Sequence, residues 1–393
     1  MNKMNKPVVI IGGGTGGLAM ALFLEKADIK SEVFEQAPAF TKAGASYLVH
    51  AKGVHVISEL GLEDELTQVS HPLTEYRLKD SDGSDMLDSD ALRVDPSSDD
   101  SFIYIARHEL VNILYEETKR KGITVHFSKK LTNLEQTKDS VTAYFDDGTE
   151  YEGDLLIGAD GIHSRTRELI FPHEYLRYNN KWAVFGMASE GDLEEASMFL
   201  EQEHISSYFK DNFNFTISKH HPTAEERLSW IFIELQDRKK PKSELEYKPV
   251  DEFKQDLADR FKDFKEPISE LIQNSGTFFP TNVFNIGSLE RFSKGRVALI
   301  GDALQTTDPL SGLGASLSLE DALYLAKMIR DHVDHEDAFY YYEYDRKDSV
   351  RKIHDKTLEM EQSISKDLDH FIDSTGEDQL KSILLDLPKV YWK

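Results

Sequence analysis

Val8-Val9-Ile10-Ile11-Gly12-Gly13-Gly14-Thr15-Gly16-Gly17, followed by an apolar-periodic stretch from Leu18 to Ala27, decides the fold. Four apolar residues read as a buried strand, and the periodic stretch reads as a helix, so the glycines occupy a strand-to-helix turn. Such a turn binds a pyrophosphate. Gly12 permits the tight turn, Gly14 lets the backbone approach phosphate oxygens, and Gly17 lets the helix pack against the strand while its first N–H groups face the anion. Glu35 closes the next apolar run, Glu32-Val33-Phe34-Glu35, at about the 20-residue offset expected of a carboxylate that grips a ribose hydroxyl. The expectation is an α/β chain with a Rossmann-like nucleotide-binding unit.

Composition narrows the setting. The 393 residues are enough for two domains or one large divided one. No apolar run is long enough to span a bilayer, and Met1 to Lys6 lead into the first strand without a secretory pattern, so a soluble, cytoplasmic protein is expected. With no cysteine, the chain has no disulfide, thiolate metal site or CxxC relay. A formal charge of −25 disfavours nucleic acid and anionic membrane as partners.

Beyond the first βαβ unit, Asp82-Gly83 predicts a two-residue hairpin turn followed by an acidic, Ser-rich stretch. Asp80-Ser81-Asp82-Gly83 is not a calcium loop, because Ala91 stands where a closing Glu would be. Arg107 opens a helical pattern, and Val125 to Phe127, Val141 to Phe145 and Leu155 to Ile157 read as strands. From Lys181 to about Phe279 the texture is β-rich and aromatic, consistent with a second sheet inserted into the first unit. Arg296 to Ile300 returns as a strand into Gly301-Asp302. From Leu317 the pattern is helical, broken near Asp331 to Glu336 and again near Ser374 to Gly376. These shifts divide the chain into a discontinuous nucleotide-binding unit (1–73, 103–180 and 280–330), an inserted β-rich substrate unit (74–102 and 181–279) and a C-terminal helical region (331–393).

Three motifs in this order carry a resemblance. The chain resembles the class A flavoprotein monooxygenases, the para-hydroxybenzoate hydroxylase-like group that includes salicylate and urate hydroxylases and tetracycline-inactivating enzymes. The resemblance implies that Gly12, Gly14, Thr15 and Gly17 hold the pyrophosphate region of a non-covalent FAD, and that Glu35 holds its adenosine ribose. Asp154-Leu155-Leu156-Ile157-Gly158-Ala159-Asp160-Gly161-Ile162-His163-Ser164 is similar to the family's DG motif, which places Asp160 and Gly161 by FAD and NAD(P)H. Gly301-Asp302-Ala303 with Pro309, Gly312 and Gly314 is similar to the GD motif, whose Asp meets the ribityl and ribose region. It further implies that NADH or NADPH reduces the flavin, that O₂ adds at the flavin C4a carbon, and that the resulting hydroperoxide hydroxylates a small, planar, electron-rich aromatic or polyketide-like molecule. A monomer or homodimer is expected. No catalytic acid or base and no metal site stands out.

Arg107 has independent support, since a cation at a helix start opposes the macrodipole unless an anion lies nearby. The resemblance assigns it to the FAD; the alternative is a surface Arg paired with Glu109. Some residues depart from the family pattern: Gln305 where His is common, Ser316 where Asn is common, and Gln36 after the ribose acid. Ala43-Gly44-Ala45-Ser46 matches the place where the family's flavin swings between poses, although a tight turn also explains it. His108-Glu109-Leu110-Val111-Asn112 lacks the second His of a zinc-protease helix, and His332 and His335 read as a polar loop. Of Trp182, Phe185, Phe213, Phe215, Trp230 and Phe232, two or three are expected at a ligand cavity and the rest in the core. Other readings on this scaffold are a flavin-dependent halogenase, for which no WxWxIP-like segment exists, and a non-catalytic binding protein.

Overall fold

The computed structural model describes residues 4–41, 46–86, 102–189, 193–202, 204–221, 226–246, 249–287, 289–307, 309–366 and 391–392. Ala43 to Ala45 and Ser374 to Gly376, singled out in the sequence, lie outside them. The apolar strand Val8–Ile11 is buried along its whole length, as the interior of a parallel sheet requires. It pairs with Ser31–Phe34 on one side and Leu156–Gly158 on the other. Thr124–His126 extends the sheet beyond Ser31–Phe34, and Val297–Leu299 and then the short antiparallel Ser293–Lys294 extend it beyond Leu156–Gly158.

This order places the site. After Val8–Ile11 the chain winds one way to Ser31–Phe34 and later the other way to Leu156–Gly158, which makes a switch point and opens a crevice at the carboxyl ends of the strands. Glu35, Gly12, Ala159 and Ile300 each follow directly on one of four neighbouring parallel strands, so segments hundreds of residues apart reach the same edge. The first helix runs Thr15–Lys26, which puts Gly16 and Gly17 in its opening turn, and it packs between Arg107–Arg120 and Gly314–Asp331. The late helix begins at Gly314, three residues before the apolar periodicity does, because Gly312 turns the chain with φ +63°. It ends at Asp331, and the next helix, His335–Lys366, follows the predicted break.

The second six-stranded sheet has the order Ser275–Asn285, Arg177–Ser189, Glu226–Leu235, Phe213–Lys219, His204–Lys210, Glu75–Lys79. Its last pairing is parallel and draws the Asp82-Gly83 hairpin region into the inserted sheet. Asp80 accepts hydrogen bonds from the N–H groups of Asp82 and Ser84, so its carboxylate builds the turn. One face of this sheet packs Trp182, Phe215 and Phe232 against Phe253, Leu257 and Phe261 of the segment Val250–Phe261.

Gly186 sits opposite Trp230 in this sheet, and a Cβ there would lie 2.1 Å from the indole Cε2. The indole is fixed by its Nε1–H donating to Ser275 Oγ at 2.7 Å and by stacking on Phe215. Gly186→Ala should therefore destabilise the protein by about 1–3 kcal/mol through overpacking. Urea unfolding checks this, and an unchanged midpoint would show that the indole moves without cost.

Candidate active site

The turn after Val8–Ile11 is built by backbone contact. Gly12 has φ +106°, and a Cβ on it would come within 2.3 Å of the Ala159 carbonyl oxygen. A Cβ on Gly17 would lie 1.9 Å from the Gly12 carbonyl oxygen, whereas beside Gly14 nothing lies within 4 Å. Gly12 and Gly17 thus close the turn against its neighbours, and Gly14 faces the open space an anion needs. The Glu35 carboxylate accepts from Gly13 N at 2.7 Å and from Ala37 N at 2.8 Å, which fixes it at the rim of that space.

A cavity of about 660 Å³ opens here, lined by Gly12, Gly14, Glu35, Arg107, Asp160 and Gly161 among others. Arg107 is exposed to it and donates from Nε to the Tyr47 hydroxyl at 3.1 Å. Glu109 pairs with His108 instead, at 3.4 Å, so the Arg107–Glu109 pair does not form. Asp160 takes a structural part: its oxygens accept from Ser164 Oγ at 2.5 Å, Thr166 N at 2.9 Å and Thr166 Oγ1 at 3.0 Å, and Ser164 in turn caps the following helix.

Tyr47 also lines a second cavity of about 280 Å³, together with Asp302, Pro309, Gly312 and Gly314. The Tyr47–Arg107 hydrogen bond links the walls of the two cavities, since Arg107 lines the first and Tyr47 the second. Of the six sheet aromatics, Phe185 and Trp230 line the second cavity, although the Trp230 indole also belongs to the sheet core with Trp182, Phe213, Phe215 and Phe232. Asp302 is itself exposed, with its side chain opening onto this cavity, and protein packed around the cavity keeps its carboxyl poorly solvated. This desolvation pushes the carboxyl up to about 6, against the pull of Arg107 and Arg167, with Asp321 adding to the rise.

Asp302 is held from beneath by residues whose role the motifs do not reveal. Arg167, 1% exposed, donates to the carbonyls of Ala303 at 3.0 Å and Ile162 at 2.6 Å, and so ties the DG and GD segments together. One signal was present in the sequence, a second Arg near a helix start, where cations are disfavoured without a partner. Asp321 accepts from Gly301 N at 3.0 Å and Gln305 Nε2 at 3.1 Å, and Arg346 donates to Asp321 at 2.7 Å and to Glu320 at 3.2 Å. Gln305 thus serves the buried network. Ser316 accepts from His50 N at 2.9 Å, also away from the cavity. His332 stacks on Tyr341 and His335 pairs with Asp334.

These features fit an FAD: open space beside a helix start, a cation without an acid partner among the described residues, a carboxylate at one end, and a linked cavity floored by a second carboxylate. Comparison with known proteins agrees. A family model described as an FAD binding domain matches residues 5–357. The salicylate hydroxylase of Pseudomonas putida is 30% identical over 84% of this chain and 78% of its own length. An FAD-dependent monooxygenase of Emericella nidulans is 29% identical over 82% of this chain, which spans 59% of that longer protein. The structure of Klebsiella pneumoniae HpxO complexed with FAD and uric acid superposes with a TM-score of 0.78, at 25% identity, over 98% of this chain and 94% of that one.

Replacing Arg346 with Met would leave Asp321 and Glu320 buried beside Lys52 as their one remaining described cationic neighbour, 3.4 Å from Glu320. The expected loss is about 3–5 kcal/mol. Urea unfolding measures it; a loss below about 1 kcal/mol would mean the network does not hold the Gly301 segment.

Proposed function

The chain belongs to the FAD-binding-domain family, with FAD-dependent monooxygenases and hydroxylases as its relatives, and from that premise we propose that it uses NADH or NADPH and O₂ to hydroxylate a small, planar, electron-rich organic molecule. The observation that carries the proposal is the pair of cavities, one at the glycine turn and one at Asp302, whose walls are linked by the Tyr47–Arg107 hydrogen bond. When bound and reduced, the flavin supplies activation of O₂ at its C4a carbon and delivery of one oxygen atom to the substrate.

The chain's own residues do the rest. The first N–H groups of helix Thr15–Lys26 receive the pyrophosphate, Arg107 adds positive charge, and Glu35 accepts from a ribose hydroxyl. Asp302 accepts from ribityl hydroxyls. The start of helix Gly314–Asp331 lines the same cavity, so its unpaired N–H groups favour negative charge that develops there. Leu48, Ile205, Ile231 and Leu313 supply apolar walls that exclude water from the reacting centre. Asp160 acts by shaping the loop that carries Gly161. Under this assignment the discontinuous unit 1–73, 103–180 and 280–330 holds the cofactor, and 74–102 with 181–279 supplies the sheet over the substrate.

The raised Asp302 carboxyl gives a pH test. Ribityl hydroxyls donate to the ionised form, so binding lowers this pKa and expels a proton wherever Asp302 was protonated. FAD affinity should therefore be constant above about pH 7 and fall below about pH 6 by up to tenfold per unit. Fluorimetric titration checks this; Asp302→Asn should bind more weakly and lose the pH dependence, and an unchanged profile in that variant would remove Asp302 from the cofactor's contacts.

The reaction itself is tested with an oxygen electrode and a panel of aromatic and polyketide compounds. A substrate should stimulate NAD(P)H oxidation and, under ¹⁸O₂, gain one labelled oxygen atom. Stimulated oxidation that yields only hydrogen peroxide across the panel, or no stimulation at all, would favour a different flavin reaction or a binding role.

A further inference from the structure

The substrate cavity has one wall of an unusual kind. In the strand Phe213–Lys219 the side chains alternate, with Phe215 and Ile217 turned to the aromatic core and Thr216 and Ser218 turned to the cavity. Ser229 of the neighbouring strand also lines the cavity and sits directly opposite Ser218. Thr216, Ser218 and Ser229 are 6, 3 and 4% exposed, so this hydroxyl-bearing surface is shielded from bulk water. Buried polar groups are retained where they are hydrogen-bonded, and these are: Ser218 pairs with Ser229 at 2.9 Å, and Thr216 with Ser207 at 2.6 Å.

Two phenols join them. Tyr76 pairs with Ser207 at 2.7 Å, and Tyr104 lines the cavity with Ser218. Burial pushes the Tyr104 hydroxyl up to about 12, so it stays protonated and available as a donor at neutral pH. Thr216 donates to Asn214 Oδ1 at 3.0 Å and so offers a guest an acceptor site, while in the Ser218–Ser229 pair one hydroxyl donates to the other and the second O–H is left for a guest.

Charge is the decisive property. Among the described lining residues, Asp302 is the one charged group, and it stands on the wall that also carries Gly312 to Ala315. The positive helix start on that wall is thus already faced by a carboxylate. An anionic guest would lose its hydration and find no lysine or arginine among those lining residues to offset that loss. A neutral guest with a hydroxyl, carbonyl or amide edge would exchange water for the Ser218, Ser229, Thr216 and Tyr104 hydroxyls at little cost.

We propose that this cavity takes a neutral aromatic molecule, held through its polar edge by the Ser218–Ser229–Tyr104 cluster and Thr216, and discriminates against carboxylate-bearing aromatics. This rests on the monooxygenase reading and deepens it. Such selectivity would set the chain apart from a salicylate-using relative, whose named substrate carries a carboxylate.

The test uses FAD-loaded full-length protein at about pH 7.5 and two pairs of probes of nearly equal shape, salicylamide with salicylate and 4-hydroxybenzamide with 4-hydroxybenzoate. Binding is read from the perturbation of flavin absorbance and from calorimetry. The amide should bind at least about tenfold more tightly than its carboxylate in each pair. Ser218→Ala and Ser229→Ala, both small changes, should weaken amide binding about three- to tenfold while leaving FAD affinity and the weak carboxylate binding unchanged. A carboxylate that binds as tightly as its amide overturns the charge argument, and so does a failure of all four probes to bind to yellow, FAD-loaded protein. An amide preference that survives both serine variants and Tyr104→Phe overturns the assignment to this wall. A folded protein that takes up no FAD is recognised before any probe is added and brings down the parent reading as well.

Discussion

Close approach of main chain to main chain governs the rest of this structure. The Ala159 carbonyl occupies the place of a Gly12 Cβ, and the Gly12 carbonyl occupies that of a Gly17 Cβ. Ser318 Oγ lies 2.4 Å from where a Cβ on Gly16 would stand and 2.3 Å from where one on Gly301 would stand. The Gly12, Gly16 and Gly301 contacts join segments far apart in the chain, the Gly17 contact closes the first turn on itself, and the two carbonyl contacts leave no room for a Cβ. Because the contacts sit at the carboxyl ends of adjacent parallel strands, they draw three glycine-bearing turns around one crevice. The cavity at Gly14 is what remains once the other glycines have closed the gaps around it.

Electrostatics then decides what that crevice accepts. The chain as a whole is strongly acidic, yet the rim of the larger cavity gathers a helix start, Arg107 and Lys130, with Lys129 and Arg165 paired to Asp147 and Glu168. Local donors count for more than net charge at this range, since exposed charges farther off than about 8–10 Å are screened by salt. On the other side of the crevice, Asp302 keeps its place because Arg167 grips the carbonyls behind it and Asp321 grips Gly301 N. Arg346, from the last described helix, neutralises Asp321 and Glu320, so the C-terminal region contributes to the site without touching it.

Much of this was legible in the sequence, because short-range patterns specify it. The apolar run Val8 to Ile11, the helix opened by Arg107 and the strands read at Val125 to Phe127, Val141 to Phe145 and Leu155 to Ile157 appear where the patterns put them, with bounds shifted by at most a residue. Arg107 was legible from its conflict with the helix dipole. What escaped were contacts set by tertiary arrangement: Gly16 and Gly301 against Ser318, Arg167 behind Asp302, and Arg346 on Asp321. Nothing in the sequence around Arg346 distinguishes it from a surface arginine on a charged helix, and only the fold reveals that it is 4% exposed. The serine-bearing wall of the second cavity is an intermediate case. Alternation of Phe215 and Ile217 with Thr216 and Ser218 is visible in the sequence and reads as a half-exposed strand; that the polar face is buried emerges only when a second layer closes over it.

The central claim is that the glycine turn, Arg107, Asp302 and the late Gly312–Gly314 turn belong to one FAD site spanning both cavities. A crystal structure of the protein grown with FAD tests it most directly. The pyrophosphate should lie beside Gly14 at the start of helix Thr15–Lys26, the adenosine ribose at Glu35, and the ring system in the cavity between Asp302 and the Phe213–Lys219 strand. Flavin bound elsewhere, or well-ordered crystals that stay colourless and show no density in either cavity, would contradict it.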